Sequence, residues 1–191
     1  MFSQINSVGL FGLNAFAVTA EASITPGQPQ FDIVGMPDVA VQESKSRIRS
    51  ALGQMEMNHL LGGRVTVNLA PASVKKIGSM FDLPITVALM KLGGVIEADL
   101  NDCVFIGELS LNGALAPING ALSMVLTAAK GGAKRIFLPK ANAKEASVAE
   151  GIKVYGVEHL SQLIECLKKG TGLAPEEKYI PAQKEIQRAA D

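Results

Sequence analysis

Tryptophan is absent from this chain of 191 residues, and aromatic residues make up only 5% of it. With 48% hydrophobic and 19% charged residues the composition is that of a globular domain, but the core has to be built from Val, Ile, Leu, Met and Ala. Cysteine is nearly absent. Cys103 sits in an apolar, strand-like run and Cys166 on the apolar face of an expected helix. That pattern excludes a disulfide framework and points to a reducing compartment. Without a Cys-x-x-Cys pair or a Cys/His cluster there is no zinc site. No run approaches the roughly 20 apolar residues that span a membrane. No Lys or Arg precedes Lys45, which argues against a secretory signal, so the cytoplasm is the expected location. A phosphate loop ending in Gly-Lys-Ser/Thr is missing, as is Gly-x-Gly-x-x-Gly, which excludes an ATP site of the P-loop type in this segment. The two histidines, His59 and His159, lie apart and have no neighbouring Ser and Asp to make a triad.

Net charge is zero, so a global basic field cannot drive nucleic-acid binding. The local distribution is uneven. Lys45, Arg47, Arg49, Arg64, Lys75, Lys76 and Lys91 face only Glu56 and Asp82 between residues 44 and 91, whereas 93–111 carries only Glu97, Asp99, Asp102 and Glu108. Such polarity suits a binding face, the edge between two subunits, or a plain solvated surface.

Hydrophobic periodicity gives alternating strands and helices. Residues 1–31 read as β-rich, with turns at Gly9, Gly12 and Gly27 and a period of two at Phe16, Val18, Ala20 and Ala22. Residues 31–34 form a short strand. Pro37 and Asp38 then open a helix to about Met55, with Val41, Ser44, Ile48, Ala51, Leu52 and Met55 as its inner stripe. His59 falls in a loop. Residues 64–70 alternate as a half-buried strand, and 80–92 read as a helix buried on most sides despite Pro84. A strand at 104–106 leads to a hairpin with Asn112-Gly113 as its turn and 115–118 as its return strand. Helices at 121–130, 141–149 and 159–168 alternate with strands at 135–138 and 152–155. From Gly170 the composition shifts to Gly, Pro, Glu, Lys and Gln, which reads as a linker or tail with a helical turn near 183–190.

Two segments carry a specific pattern. One is Lys75-Lys76-Ile77-Gly78-Ser79-Met80-Phe81-Asp82-Leu83-Pro84. The other runs from Gly107-Glu108 through Asn112-Gly113 and Pro117-Ile118-Asn119-Gly120 to Gly131-Gly132 and Ile136-Phe137-Leu138-Pro139. Together they resemble the proteolytic domain of Lon proteases. Phe31-Asp32-Ile33-Val34-Gly35-Met36-Pro37-Asp38, Glu43-Ser44 and Val67-Asn68-Leu69-Ala70-Pro71-Ala72 narrow the resemblance to the YifB/ComM branch of magnesium-chelatase-like AAA+ ATPases, over about residues 1–169. The resemblance implies an α/β (α+β) fold of the Lon-protease-like, ribosomal-S5-domain-2-like type, a mixed sheet with packed helices. It also implies that 170–191 leads towards an AAA+ module outside this chain, and that ATP and Mg belong to that module and not to this segment.

Lon-type catalysis uses a Ser–Lys dyad, a hydroxyl activated by a desolvated lysine. The resemblance puts the serine two residues after the loop glycine, which from Gly78 is Met80. It puts the lysine four residues after the last hairpin glycine, which from Gly120 is Met124. Neither Met can supply a nucleophilic oxygen or a basic nitrogen, so no catalytic residue is expected. Ser79 is the fallback nucleophile, with Ser123 or the distant Lys130 as poor partners. The leading expectation, from the resemblance, is a non-catalytic assembly or regulatory domain of a ring-forming homo-oligomer, hexameric in relatives with this fold, in a branch linked to movement of branched DNA during recombination and competence. The alternatives are direct nucleic-acid contact through Lys45, Arg49, Lys75 and Lys76, with Arg47 and Arg64 beside them, and a peptidase with an unusual dyad. No membrane partner is expected.

Overall fold

The computed structural model describes residues 1–181. The helical turn expected near 183–190 lies outside the described residues. The chain forms β1 (Phe2–Phe11), β2 (Asn14–Thr25), β3 (Gln30–Val34), α1 (Val39–Gln54), β4 (Arg64–Ala70), α2 (Asp82–Leu92), β5 (Cys103–Phe105), β6 (Glu108–Leu109), β7 (Leu115–Ala116), α3 (Ala121–Lys130), β8 (Arg135–Pro139), α4 (Lys140–Ala146), β9 (Lys153–Val157) and α5 (Leu160–Lys169). Seven strands make one sheet in the order β3-β4-β2-β1-β5-β8-β9, and β6 pairs with β7 as a separate hairpin. β2 alone in the large sheet runs antiparallel to its neighbours; the other six strands share one direction.

The period-two pattern decides which face each residue meets. Val18, Ala20 and Ala22 of β2, Phe31 and Ile33 of β3, and Val65, Val67 and Leu69 of β4 bury one face against α1, α2 and α5. On the opposite face, Val8, Val104, Ile136, Leu138 and Val154 pack beneath α3 and α4. In that second layer α3 lies over β1 and β2, and α4 over β8 and β9. Over β3 and β4 the same face carries Asp32, Arg64, Thr66 and Asn68, which remain half-buried or exposed. Phe105, Phe137 and Tyr155 stack across β5, β8 and β9 with ring centroids 5.0 and 4.9 Å apart, so three of the few aromatics fill one core column.

Several local expectations change. Gly9 lies inside β1 and not in a turn. A Cβ there would come within 2.9 Å of the Phe16 ring, so the glycine makes room for a neighbour. The turn belongs to Gly12-Leu13, with Gly12 at φ 61°. α2 begins at Asp82 and not at Met80, because the preceding backbone pairs with the hairpin. Gly107 donates its N–H to the Met80 carbonyl at 2.8 Å, and Leu83 donates to the Gly107 carbonyl at 3.0 Å. Pro84 then falls in the first turn, where its missing N–H is harmless. His59 belongs to a short 3-10 turn, Asn58–Leu61. The hairpin turn spans Ser110 to Gly113, with Gly113 donating to the Ser110 carbonyl at 3.0 Å, so Leu111 and Asn112 are its corners. β7 ends before Ile118, whose N–H and C=O are both taken by the Asn142 side chain. α4 stops at Ala146, and β9 runs on to Val157.

The segment from Gly170 is anchored at several points. Glu176 donates its N–H to the Val154 carbonyl at 2.7 Å and pairs with Lys140 at 2.9 Å. Tyr179 donates its N–H to the Ser147 hydroxyl, and the Lys144 ammonium sits 4.3 Å from the Tyr179 ring centroid.

His159 caps α5 by accepting the Ser161 N–H at Nδ1, which leaves Nε2–H to donate to the Asn112 carbonyl at 2.8 Å. His159→Ala removes both bonds. It is expected to lower stability by about 1 kcal/mol, read as a shifted urea midpoint with unchanged slope.

Candidate functional site

The β1, β3 and β4 carboxyl ends meet the amino ends of α1 and α2 at one rim of the sheet, and the loops 35–38 and 71–81 converge there. Gly35 has φ 99°, and a Cβ on it would strike the Leu69 carbonyl at 2.3 Å, so only glycine lets the chain leave β3 this close to β4. The loop that follows pairs with the loop after β4. Lys76 donates its N–H to the Met36 carbonyl at 3.0 Å, and Asp38 donates to the Lys76 carbonyl at 2.9 Å. Asp38 caps α1 by accepting the Val41 N–H at 2.8 Å, and its other oxygen accepts the Gly78 N–H at 3.3 Å.

Two charged side chains are buried in this frame. Lys76 has no exposed surface, and its ammonium donates to the Gly35 carbonyl at 2.8 Å and to the Pro71 carbonyl. Burial lowers its pKa from the ordinary lysine value. Asp82 is equally buried. Its carboxylate accepts Nε of Arg47 at 2.7 Å, Nη2 of Arg47 at 3.1 Å, the Leu109 N–H at 2.9 Å and the Ser44 hydroxyl. Burial holds the Asp82 carboxyl above its ordinary value, against the downward pull of Arg47, Ser44 and the Leu109 N–H. Every partner is a donor, the arrangement that suits an ionised carboxylate. The same bonds raise Arg47 above its already high value. One carboxylate thereby joins α1, α2 and the β6–β7 hairpin.

Beside this network opens a cleft of about 320 Å³ whose wall includes Gly78, Ser79, Met80, Glu108 and Ile118. The Ser79 hydroxyl donates to Oε2 of Glu108. Met80 is half-buried in the wall and packs against an apolar cluster that contains Met124, which has no exposed surface. The two methionines that the resemblance placed at dyad positions thus meet the same cluster. Among the described residues no lysine lines the cleft. Ser123 is half-exposed on α3, and Lys130 closes that helix at its far end. Sequence reasoning missed both carboxylates. An acid at the head of an otherwise apolar helix was the available signal for Asp82; the approach of Glu108 to Ser79 depends on a tertiary pairing.

The basic candidates differ in their exposure. Lys76 is the clearest correction: as a buried staple it cannot reach a phosphate. Arg47 is committed to Asp82 and lies 3.9 Å from Glu43. Arg49 and Lys75 are exposed and Lys45 is half-buried. Arg64 starts the strand whose far end precedes Lys75, some 20 Å away by strand rise.

Fold and cleft together define a Lon-like α/β domain. The family described as "Subunit ChlI of Mg-chelatase" matches residues 20–142, and the chain belongs to that family. It is 38% identical to an uncharacterised protein of Mycobacterium tuberculosis over 169 residues, 88% of this chain and 33% of that protein. It is 34% identical to "Competence protein ComM" of Haemophilus influenzae over 82% of this chain and 30% of the relative, and 34% identical to YifB of Escherichia coli over 83% and 31%. Lon protease 3 of Sorangium cellulosum is 25% identical over 84% of this chain. The chain spans about a third of the length of the YifB and ComM relatives it matches.

Two outcomes test the buried charges. Arg47→Ala leaves the Asp82 carboxylate short of its cation and is expected to cost about 3 kcal/mol in urea denaturation. For Lys76 the folded-state pKa lies below the unfolded one. Between those values the unfolded chain binds more protons, so stability from this group rises with pH. As pH rises towards the ordinary lysine value, wild type is expected to gain stability relative to Lys76→Met.

Proposed function

We propose that this chain is a non-catalytic assembly or regulatory domain of a YifB/ComM-type AAA+ ATPase. The observation that carries the reading is the pair Met80 and Met124 on one apolar cluster, with Ser79 bonded to a carboxylate instead of a lysine. A carboxylate is too weak a base to hold serine ionised at neutral pH, and among the described residues the cleft offers no neutral amine to take the proton. The thioethers fill the space with adaptable apolar volume.

ATP and Mg belong, in this proposal, to an AAA+ module of the same polypeptide outside the chain. The residues present here do not fit either group. The sequence has no phosphate loop, and among the described residues no three His, Cys, Asp or Glu side chains converge as a metal set. Ring assembly of the whole protein and its action on recombining or branched DNA extend the same proposal. The ComM relative's name, a competence protein, supports that direction. Direct DNA contact by this segment is the weaker reading, since Lys76 and Arg47 are engaged internally.

The test is a fluorophosphonate serine probe together with a peptide-cleavage assay on the 191-residue protein. Neither labelling of Ser79 nor cleavage is expected. Probe attached to Ser79, with turnover lost in Ser79→Ala, would refute the non-catalytic reading.

A further inference from the structure

The cleft holds a carboxylate without a cation. Glu108 is half-buried in its wall and accepts the Ser79 hydroxyl, and none of the ion pairs among the described residues includes it. Arg47 feels its charge, but its N–H groups are directed at Asp82, Ser44 and the Ala40 carbonyl. Leu10, Ile77, Met80 and Ile118 supply apolar wall around the acid, and Asn119 a further polar group. A carboxylate and a hydroxyl set in an apolar sleeve recognise an ammonium carried on an aliphatic stem: the stem buries against carbon while the head meets the acid. The surroundings favour a polypeptide source over a free amine. Phe11 and Leu13, at the β1–β2 tip beside the cleft, are 59% and 94% exposed, and Ile77 is 38% exposed. Such a rim can contact residues flanking a lysine and gives a small amine nothing to hold.

We infer that this cleft is a docking subsite for a lysine side chain of a partner polypeptide, which inserts between Met80 and Ile118 and pairs with Glu108. The inference rests on the non-catalytic reading of the same cleft: the bound peptide is held and not cut. Glu108 discriminates by charge, Ser79 orients the carboxylate, and the apolar rim supplies the remaining contact.

The experiment is an amide-resolved NMR titration of the 191-residue protein with three probes. They are an acetylated, amidated Leu-Ala-Lys-Ala-Leu peptide, the same peptide with norleucine for lysine, and n-butylammonium. Saturable shifts at Gly78, Ser79, Met80 and Ile118 are expected with the lysine peptide. Binding should be about fivefold weaker with norleucine, and weaker again with the free amine. Glu108→Gln, which keeps the side-chain shape, should erase the lysine–norleucine difference; circular dichroism checks that it is folded. Equal binding of both peptides, shifts confined to other regions, or no saturable shift would overturn the inference. Butylammonium binding as tightly as the lysine peptide would overturn the polypeptide assignment. Mass spectrometry of the recovered peptide separates the two readings: fragments refute the non-catalytic one, whereas intact but unbound peptide refutes only the lysine subsite.

Discussion

Asp82 sits at the start of a helix that is almost entirely enclosed, and a carboxylate in that position must find donors from every neighbouring element or the site would not form. Arg47 and Ser44 come from α1, and Leu109 supplies its N–H from the hairpin. Those bonds fix where α1 lies against α2 and where the hairpin stands over both. The cleft follows from this placement, since Glu108 immediately precedes Leu109 and the Ser79–Glu108 bond closes the same turn of chain. Isolated from this frame, Ser79 would be an ordinary loop hydroxyl.

Lys76 plays the matching role on the other side of the rim. Its ammonium replaces water for two carbonyls that the tight exit from β3 and the end of β4 would otherwise leave facing inward. Lys75 and Lys76 are adjacent in sequence and opposite in fate, one outward and one enclosed. A charge count along the chain cannot distinguish them, because an extended loop sends neighbouring side chains in opposite directions.

Much of the architecture was legible in the sequence. The alternation at 64–70, the stripe on α1 and the limits of α3 follow directly from periodicity, and the Lon-like motif order identified the fold. What was not legible has a common cause: it depends on pairing between segments distant in sequence. Gly9 looks like a turn glycine until the Phe16 ring is seen across the hairpin. Met80 looks helical until Gly107 claims its carbonyl. Glu108 looks like part of an acidic stretch until Ser79 reaches it. The described tail reads as linker by composition, yet Glu176 bonds the Val154 carbonyl of β9 and Lys140 of α4, and Lys178 pairs with Glu150 in the loop between those elements.

The absence of tryptophan leaves the two tyrosines as the chain's intrinsic fluorophores, and they stand in different places. Tyr155 is stacked on Phe137 in the aromatic column of the parallel half. Tyr179 lies beneath an ammonium on the docked tail. Ultraviolet emission of this molecule is therefore a sum of two local signals, one tied to the integrity of the sheet and one to the seating of the tail. A single-tyrosine variant turns either of them into a separate optical reporter without any attached dye.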